Sequence, residues 1–118
     1  MRADNNFTIT NKTRSKLPRV DFLNIKNTTL GKVYSLSLVF IGKEKSRKFN
    51  FTYRGKNKPA NILSFPLDGK TGEIFICPVI AKKETPFLFI HGLLHLKGMS
   101  HGSTMERAEA KIRRKFGV

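Results

Sequence analysis

The sequence predicts a single α+β domain, and three observations lead there. Tyr34, Leu36, Leu38 and Phe40 alternate with Val33, Ser35, Ser37 and Val39, the period of two of a strand with one face in a core. The last third of the chain carries helical spacing instead, with an apolar run over residues 87–96 and a stripe of Met105, Ala108, Ile112 and Phe116. At 118 residues and 39% hydrophobic content there is material for one core and no room for a second domain, so residues 1–118 are read as one unit.

Taken in order, residues 7–10 suggest a short first strand, and residues 20–30 a helix with Phe22, Leu23 and Ile25 as its apolar face. The alternating segment up to Phe40 follows as a long strand. Residues 43–54 are charged, with Phe49, Phe51 and Tyr53 alternating, and fit either a short helix or an extended arm. Arg54 to Pro59 forms a basic turn, after which residues 61–65 read as a strand closed by Pro66. Asp68-Gly69 and Gly72 bracket the link to a strand over residues 73–77, and the two strands are expected to pair as a hairpin with a longer loop. Thr85 and Pro86 suit the cap and first position of the next helix, which stops at Gly98. Ser103 with Glu106 three residues on reads as the capping box of a last helix, whose Lys111 to Lys115 end complements the dipole.

All three histidines of the chain, His91, His95 and His101, lie within the segment His91-Gly-Leu-Leu-His-Leu-Lys-Gly-Met-Ser-His101. A spacing of four residues puts the first two imidazoles on one face of a helix, and Gly98 lets the chain turn and deliver the third. Three neutral nitrogens leave a tetrahedral ion one open position, the arrangement of a catalytic rather than a closed structural zinc. The spacing is that of the metzincin signature H-E-x-x-H-x-x-G-x-x-H, so this is a metzincin-like metal helix, but Gly92 stands where those peptidases carry their general base. No carboxylate lies between His91 and His101. Glu73 and Glu106 flank the segment as candidates for a base, and the sequence singles out neither.

The 23 Lys and Arg against 8 Asp and Glu give a net charge of +15, which points to a polyanionic partner, nucleic acid first. The basic residues are dispersed rather than gathered on one amphipathic helix, which argues against a membrane surface. Cys77 is the only cysteine, so neither an intrachain disulfide nor a Cys-based zinc site is possible, and it reads as a small buried strand residue in a reducing compartment. Residues 1–15 are basic and polar without the apolar stretch of a signal sequence, and the apolar run at 87–96 is half of the about 20 residues that span a bilayer. A cytoplasmic location is expected.

Two segments carry a family resemblance. Phe51-Thr-Tyr-Arg-Gly-Lys-Asn-Lys-Pro-Ala-Asn-Ile-Leu-Ser-Phe-Pro66 and the histidine segment together resemble the YbeY family of bacterial rRNA maturation factors, whose signatures are N-x-x-Y-R leading into T-x-V-L-S-F-P, and H-G-x-L-H-L-x-G-Y-D-H. With the Gly-Glu-Ile-Phe-Ile strand and the last helix, the resemblance covers about the last seventy residues. It implies a mixed sheet of about four strands and a metal-dependent, single-strand-specific endoribonuclease. Such an enzyme acts on rRNA at the ribosome, in maturation of the 3′ end of small-subunit rRNA and in ribosome quality control. It also implies His91, His95 and His101 as ligands of one Zn2+, with Arg54 and His91 as catalytic residues. The chain departs from the family pattern at Met99-Ser100, which replaces Tyr-Asp and removes a carboxylate that would orient a ligand, and at Ala60, which replaces a threonine. The segment between the Glu73 strand and the metal helix is also shorter.

Physical chemistry points the same way. A cation with an open position polarises a phosphoryl oxygen or lowers the pKa of a bound water, and the planar fork of Arg54 can clamp the same phosphate. Lys56, Lys58 and Ser64 join Arg54 as candidate substrate contacts, Asn61 lies on the same strand as Ser64, and Lys43, Lys45, Arg47 and Lys48 suit tracking of an RNA backbone. Phe49, Phe51 and Tyr53 offer either base stacking or core packing, and core packing is the expectation for the phenylalanines. Two other readings compete. One is a non-catalytic, ribosome-associated rRNA-binding factor in which a structural metal holds the two C-terminal helices together. The other is a metallopeptidase, against which the missing glutamate and the positive charge both speak.

Overall fold

The computed structural model describes residues 6–118. Their elements run β1 (Phe7–Asn11), α1 (Phe22–Leu30), β2 (Ser35–Phe40), α2 (Lys43–Arg54), β3 (Ile62–Asp68), β4 (Thr71–Ile76), α3 (Pro78–Ala81), a 3₁₀ turn (Lys82–Glu84), α4 (Thr85–Leu96) and α5 (Ser103–Phe116). The polar stretch read over residues 1–15 lies partly outside the described residues. The four strands form one sheet in the order β1-β2-β4-β3, with β1 and β4 parallel to β2 and β3 antiparallel to β4. The sheet is therefore mixed, and the fold is α+β.

One face of the sheet makes the core. Leu36, Leu38 and Phe40 of β2 and Ile74 and Ile76 of β4 are buried in register against Phe89, Ile90 and Leu93 of α4, with Phe22 of α1 closing over Phe89 at 5.0 Å between ring centroids. The apolar run at 87–96 is thus a core helix. Met105 and Ile112 of α5 pack on the same cluster. α1 starts where the Asp21 side chain accepts from the Asn24 N–H at 3.2 Å, and its buried face is Phe22, Ile25, Lys26 and Thr29. Leu23, assigned to that face from sequence, points outward at 37% exposure.

The charged segment at 43–54 is a helix. The period of two in Phe49, Phe51 and Tyr53 is incidental; residues four apart share a helix face, so Phe49 and Tyr53 pair at 6.2 Å while Phe51 is exposed rather than packed. Phe49 rests on Phe75, whose neighbours Ile74 and Ile76 face the core, so α2 lies on the opposite side of the sheet from α4.

Pro66 does not close β3, which runs on to Asp68. An edge strand tolerates a proline, and the pairing shifts register between Pro66 and Asp68. The hairpin loop is accordingly short, Gly69 and Lys70 alone, with the Asp68 carboxylate accepting from the Lys70 N–H at 2.7 Å. Cys77 is buried but sits just past β4, where α3 begins. Neither expected helix cap forms. Thr85 lies inside the first turn of α4, its hydroxyl donating back to the Lys82 carbonyl at 2.7 Å because the 3₁₀ turn already leads into the helix. At α5 the cap position falls to Gly102, and Ser103 is the first helical residue, so no capping box is made.

Candidate metal centre and nucleic-acid cleft

α4 presents His91 and His95 one turn apart, with their Nε2 atoms 3.0 Å from each other. The other nitrogen of each ring is committed. His91 Nδ1 donates to Glu109 Oε1 at 2.7 Å, and His95 Nδ1 donates to the Met99 carbonyl at 3.1 Å. Carbonyl and carboxylate oxygens only accept, so each Nδ1 carries a proton, and in the neutral rings both Nε2 atoms turn lone pairs toward each other. A cation shared between them relieves that opposition. Burial, first, and then the neighbouring imidazoles push the pKa of His95 down, with the Met99 hydrogen bond and Glu109 opposing, which keeps the ring in its neutral, ligand form.

The turn after α4 completes the cluster. Gly98 takes a left-handed φ of 103°, the Gly98 N–H bonds to the His95 carbonyl and the Met99 N–H to the Leu94 carbonyl, the paired closure of a Schellman motif. Met99, at a position where the sequence departs from the family pattern, packs on the core and supplies the carbonyl that orients His95. His101 then swings back, its ring 5.0 Å from His91 and 4.8 Å from His95 between centroids, and one nitrogen from each of the three histidines falls within 4.8 Å of the others. The donor set fits a borderline cation such as zinc. The 3.0 Å between the helix nitrogens is close to the about 3.3 Å that separates two imidazoles on a tetrahedral zinc, and His101, exposed on its loop, would be the ligand with freedom to adjust.

Gly92, at the position of the metzincin glutamate, is where α4 touches the sheet. A Cβ there would stand 2.7 Å from Ser64 Oγ and 2.9 Å from Ile62 Cδ1. Close packing thus accompanies the missing general base, and any side chain here would have to displace the ends of Ser64 and Ile62.

Opposite the histidines, Arg54, Lys56, Asn61, Ile62 and Ser64 form the second wall of a cleft of about 660 Å³. Arg54 ends α2 and Gly55, at φ 71°, turns the chain. Two buried polar residues of α2 then pin the loop that follows. Asn50 Nδ2 donates to the Lys58 carbonyl at 2.8 Å, and Ser46 Oγ donates to the Ala60 carbonyl at 2.7 Å while accepting from the Ala60 N–H at 2.9 Å. Lys58, read as a substrate contact, does not line the cleft; its exposed side chain projects from the pinned loop. Arg47 is held by Glu44 and by Asn57 Oδ1 at 2.6 Å, so it does not join Lys43, Lys45 and Lys48 as a simple backbone contact.

Among the carboxylates, Glu73 and Glu106 line no part of the cleft, whereas Glu109 reaches His91. Glu109 is 8% exposed and lies four residues after Met105 and three before Ile112, so it belongs to the buried stripe of α5. That register was the available signal, since a carboxylate on an apolar stripe needs a partner.

A family model described as Endoribonuclease YbeY matches residues 3–116. The chain belongs to that family. Three curated relatives are named Endoribonuclease YbeY. The protein of Rubrobacter xylanophilus is 40% identical over 78 residues, 63% of this chain and 58% of its own length. That of Bdellovibrio bacteriovorus is 34% identical over 96 residues, 70% and 61% respectively. That of Colwellia psychrerythraea is 32% identical over 108 residues, 72% and 70%. The chain thus spans about three fifths of the length of the first two relatives. A solution structure of a Thermotoga maritima protein superposes with a TM-score of 0.61 at 22% identity, covering 94% of this chain and 89% of that one, a likeness of fold. Within this YbeY chain the residues missed from sequence are Ser46, Asn50 and Glu109, all of them buried: Glu109 holds His91, while Ser46 and Asn50 hold the loop that follows Arg54.

Proposed function

We propose that this YbeY-family chain is a metal-dependent, single-strand-specific endoribonuclease acting on rRNA, in maturation of the 3′ end of small-subunit rRNA and in ribosome quality control. The observation that carries it is the convergence of three imidazoles, two with Nδ1 committed and Nε2 directed inward, onto a cleft whose facing wall is Arg54 and Lys56. The family name supports the reaction class. The net charge of +15 supports a polyanionic substrate.

His91, His95 and His101 would hold one ion, with zinc the assignment their chemistry favours. When bound, such an ion supplies Lewis acidity toward a phosphoryl oxygen and acidifies water. The chain's own residues do the rest. The Arg54 guanidinium offers paired donors to two oxygens of one phosphate and offsets charge that grows on them, and Lys56 adds a second positive group on the same wall. Ser64 Oγ, on the edge strand in the cleft wall, would hydrogen bond a ribose or phosphate oxygen. Glu109 keeps His91 in one tautomer and balances positive charge behind it. Among the described residues no helix is long and apolar enough to cross a membrane, in keeping with work on rRNA in the cytoplasm.

The test is turnover. Purified protein on a single-stranded RNA is expected to cleave it, to stop after chelation, to recover with added zinc, and to be inactive as His95→Ala. Cleavage that survives both chelation and His95→Ala would reject the reading. Intact RNA binding without any cleavage would leave the rRNA-binding factor in its place.

A further inference from the structure

On the side of the sheet away from the histidines, α2 covers only part of the surface. Phe65 of β3 and Phe75 of β4 stand there 5.8 Å apart, with Phe49 of α2 on Phe75 at 5.1 Å and Tyr53 on Phe65 at 5.0 Å. These four rings line a slot of about 370 Å³, within the size range of small-ligand pockets. Tyr53 remains 64% exposed although its ring forms a wall. A fifth wall is Glu73, paired directly opposite Phe65 in the β3–β4 register. It is the only ionisable carboxylate among the lining residues, and its oxygens accept hydrogen bonds without donating.

The slot is adjacent in sequence to the cleft at two points. Tyr53 precedes Arg54, and Phe65 follows Ser64, whose side chain points to the other side of the same edge strand. Lys45 lies one turn before Phe49 with its Nζ 5.8 Å from that ring, which gives the aromatic surface a positive margin. Rings with a positive margin take an unpaired nucleobase, whose faces stack on aromatics while its phosphates follow the cations. An acceptor-only group at the edge of such a slot selects among bases. Guanine presents two adjacent donors, N1–H and N2–H, to the two carboxylate oxygens; uracil presents one N–H flanked by two carbonyl oxygens that the carboxylate repels.

We propose that this slot is a nucleobase pocket, preferring guanine, for the single strand whose phosphates occupy the cleft. Stacking is by Tyr53 and Phe65, and Glu73 reads the Watson–Crick edge. The proposal rests on the ribonuclease reading for its ligand, and the two are separable by experiment.

Fluorescein-labelled RNA nonamers are titrated by anisotropy at several salt concentrations, with oligomer integrity followed on a gel. Nonamers of uridine alone are compared with nonamers in which one guanosine, or one inosine lacking the 2-amino group, is moved along the strand. One guanosine position is expected to bind about fivefold to tenfold tighter than uridine, with inosine losing most of the gain. Glu73→Gln is expected to remove that preference, weakening the guanosine nonamer and raising the uridine affinity, since the repulsion of the uracil carbonyls is gone. Tyr53→Ala is expected to weaken every nonamer about tenfold without altering the salt slope, and Tyr53→Phe to restore binding. The pocket is rejected by a Tyr53→Ala protein that binds as tightly as the parent, or by a guanosine preference that survives Glu73→Gln. It is also rejected if the aromatic substitution abolishes self-association instead of RNA affinity, or RNA affinity is intact while an apolar peptide is lost. Binding with guanosine preference but without cleavage supports the pocket and removes the ribonuclease reading; cleavage with a neutral Tyr53→Ala does the reverse.

Discussion

The contact between Glu109 and His91 ties a carboxylate on one helix to a candidate ligand on another at 2.7 Å, and its loss should be felt first in metal affinity. A partner that fixes the tautomer of a ligating imidazole typically contributes about tenfold to a hundredfold in affinity. Glu109→Ala is therefore expected to weaken zinc binding by about that factor, and Glu109→Gln by less, because the amide oxygen still accepts from Nδ1. Competition with a chromophoric chelator measures both; equal affinity in all three proteins would show the contact to be incidental. Gly92 makes a second prediction at this scale. An added methyl collides with Ser64 Oγ and Ile62 Cδ1 on the edge strand, so Gly92→Ala is expected to cost about 1–3 kcal/mol in denaturant unfolding. Combining it with Ser64→Ala should recover only part of the loss, since Ile62 stays in the way. Stability unchanged by Gly92→Ala would mean that the helix is not seated as described.

At the scale of elements, the second wall of the cleft depends on α2 holding the loop at 55–60. Ser46→Ala removes the hydroxyl that serves both the N–H and the carbonyl of Ala60, and an unsatisfied buried backbone group costs about 1–3 kcal/mol. The expected result is a less stable protein whose RNA cleavage falls in kcat/KM while zinc content is unchanged, read by elemental analysis beside a single-turnover assay. Loss of zinc in Ser46→Ala would contradict the separation of the two walls. Ser46 also shows where sequence reading ends. The histidine trio, the mixed sheet and the core face of β2 were legible, because ligand spacing and a period of two are local patterns. α2 was ambiguous because alternating aromatics imitate a strand, while the helical stripe Lys45, Phe49, Tyr53 shows only once the period of four is known. The caps at Thr85 and Ser103 failed for a related reason. A preceding 3₁₀ turn and a glycine at φ 150° decided where those helices begin, and neither the turn nor the glycine's conformation shows in the spacing of cap residues. Glu109, Asn50 and Ser46 went unseen because a polar residue in a helix reads as solvent-facing until its partner is located in space.

For the whole molecule, the net charge of +15 and the cleft with Arg54 and Lys56 make different demands on RNA binding, and salt separates them. Diffuse charge raises affinity for any polyanion, whereas each phosphate neutralised by a specific contact releases counterions and adds about 0.7 to the slope of log K against log salt on a single strand. If the two cleft cations each engage one phosphate, Arg54→Gln and Lys56→Gln should each flatten that slope by about 0.7, and the double variant by about 1.4. Lys58→Gln, outside the cleft, should change both affinity and slope by less than either cleft substitution. Zinc content should stay constant throughout, because none of these side chains belongs to the three-histidine cluster. A slope that responds equally to all three substitutions would spread the contact over the basic surface. That would leave the three-histidine cluster facing a cleft that RNA does not occupy.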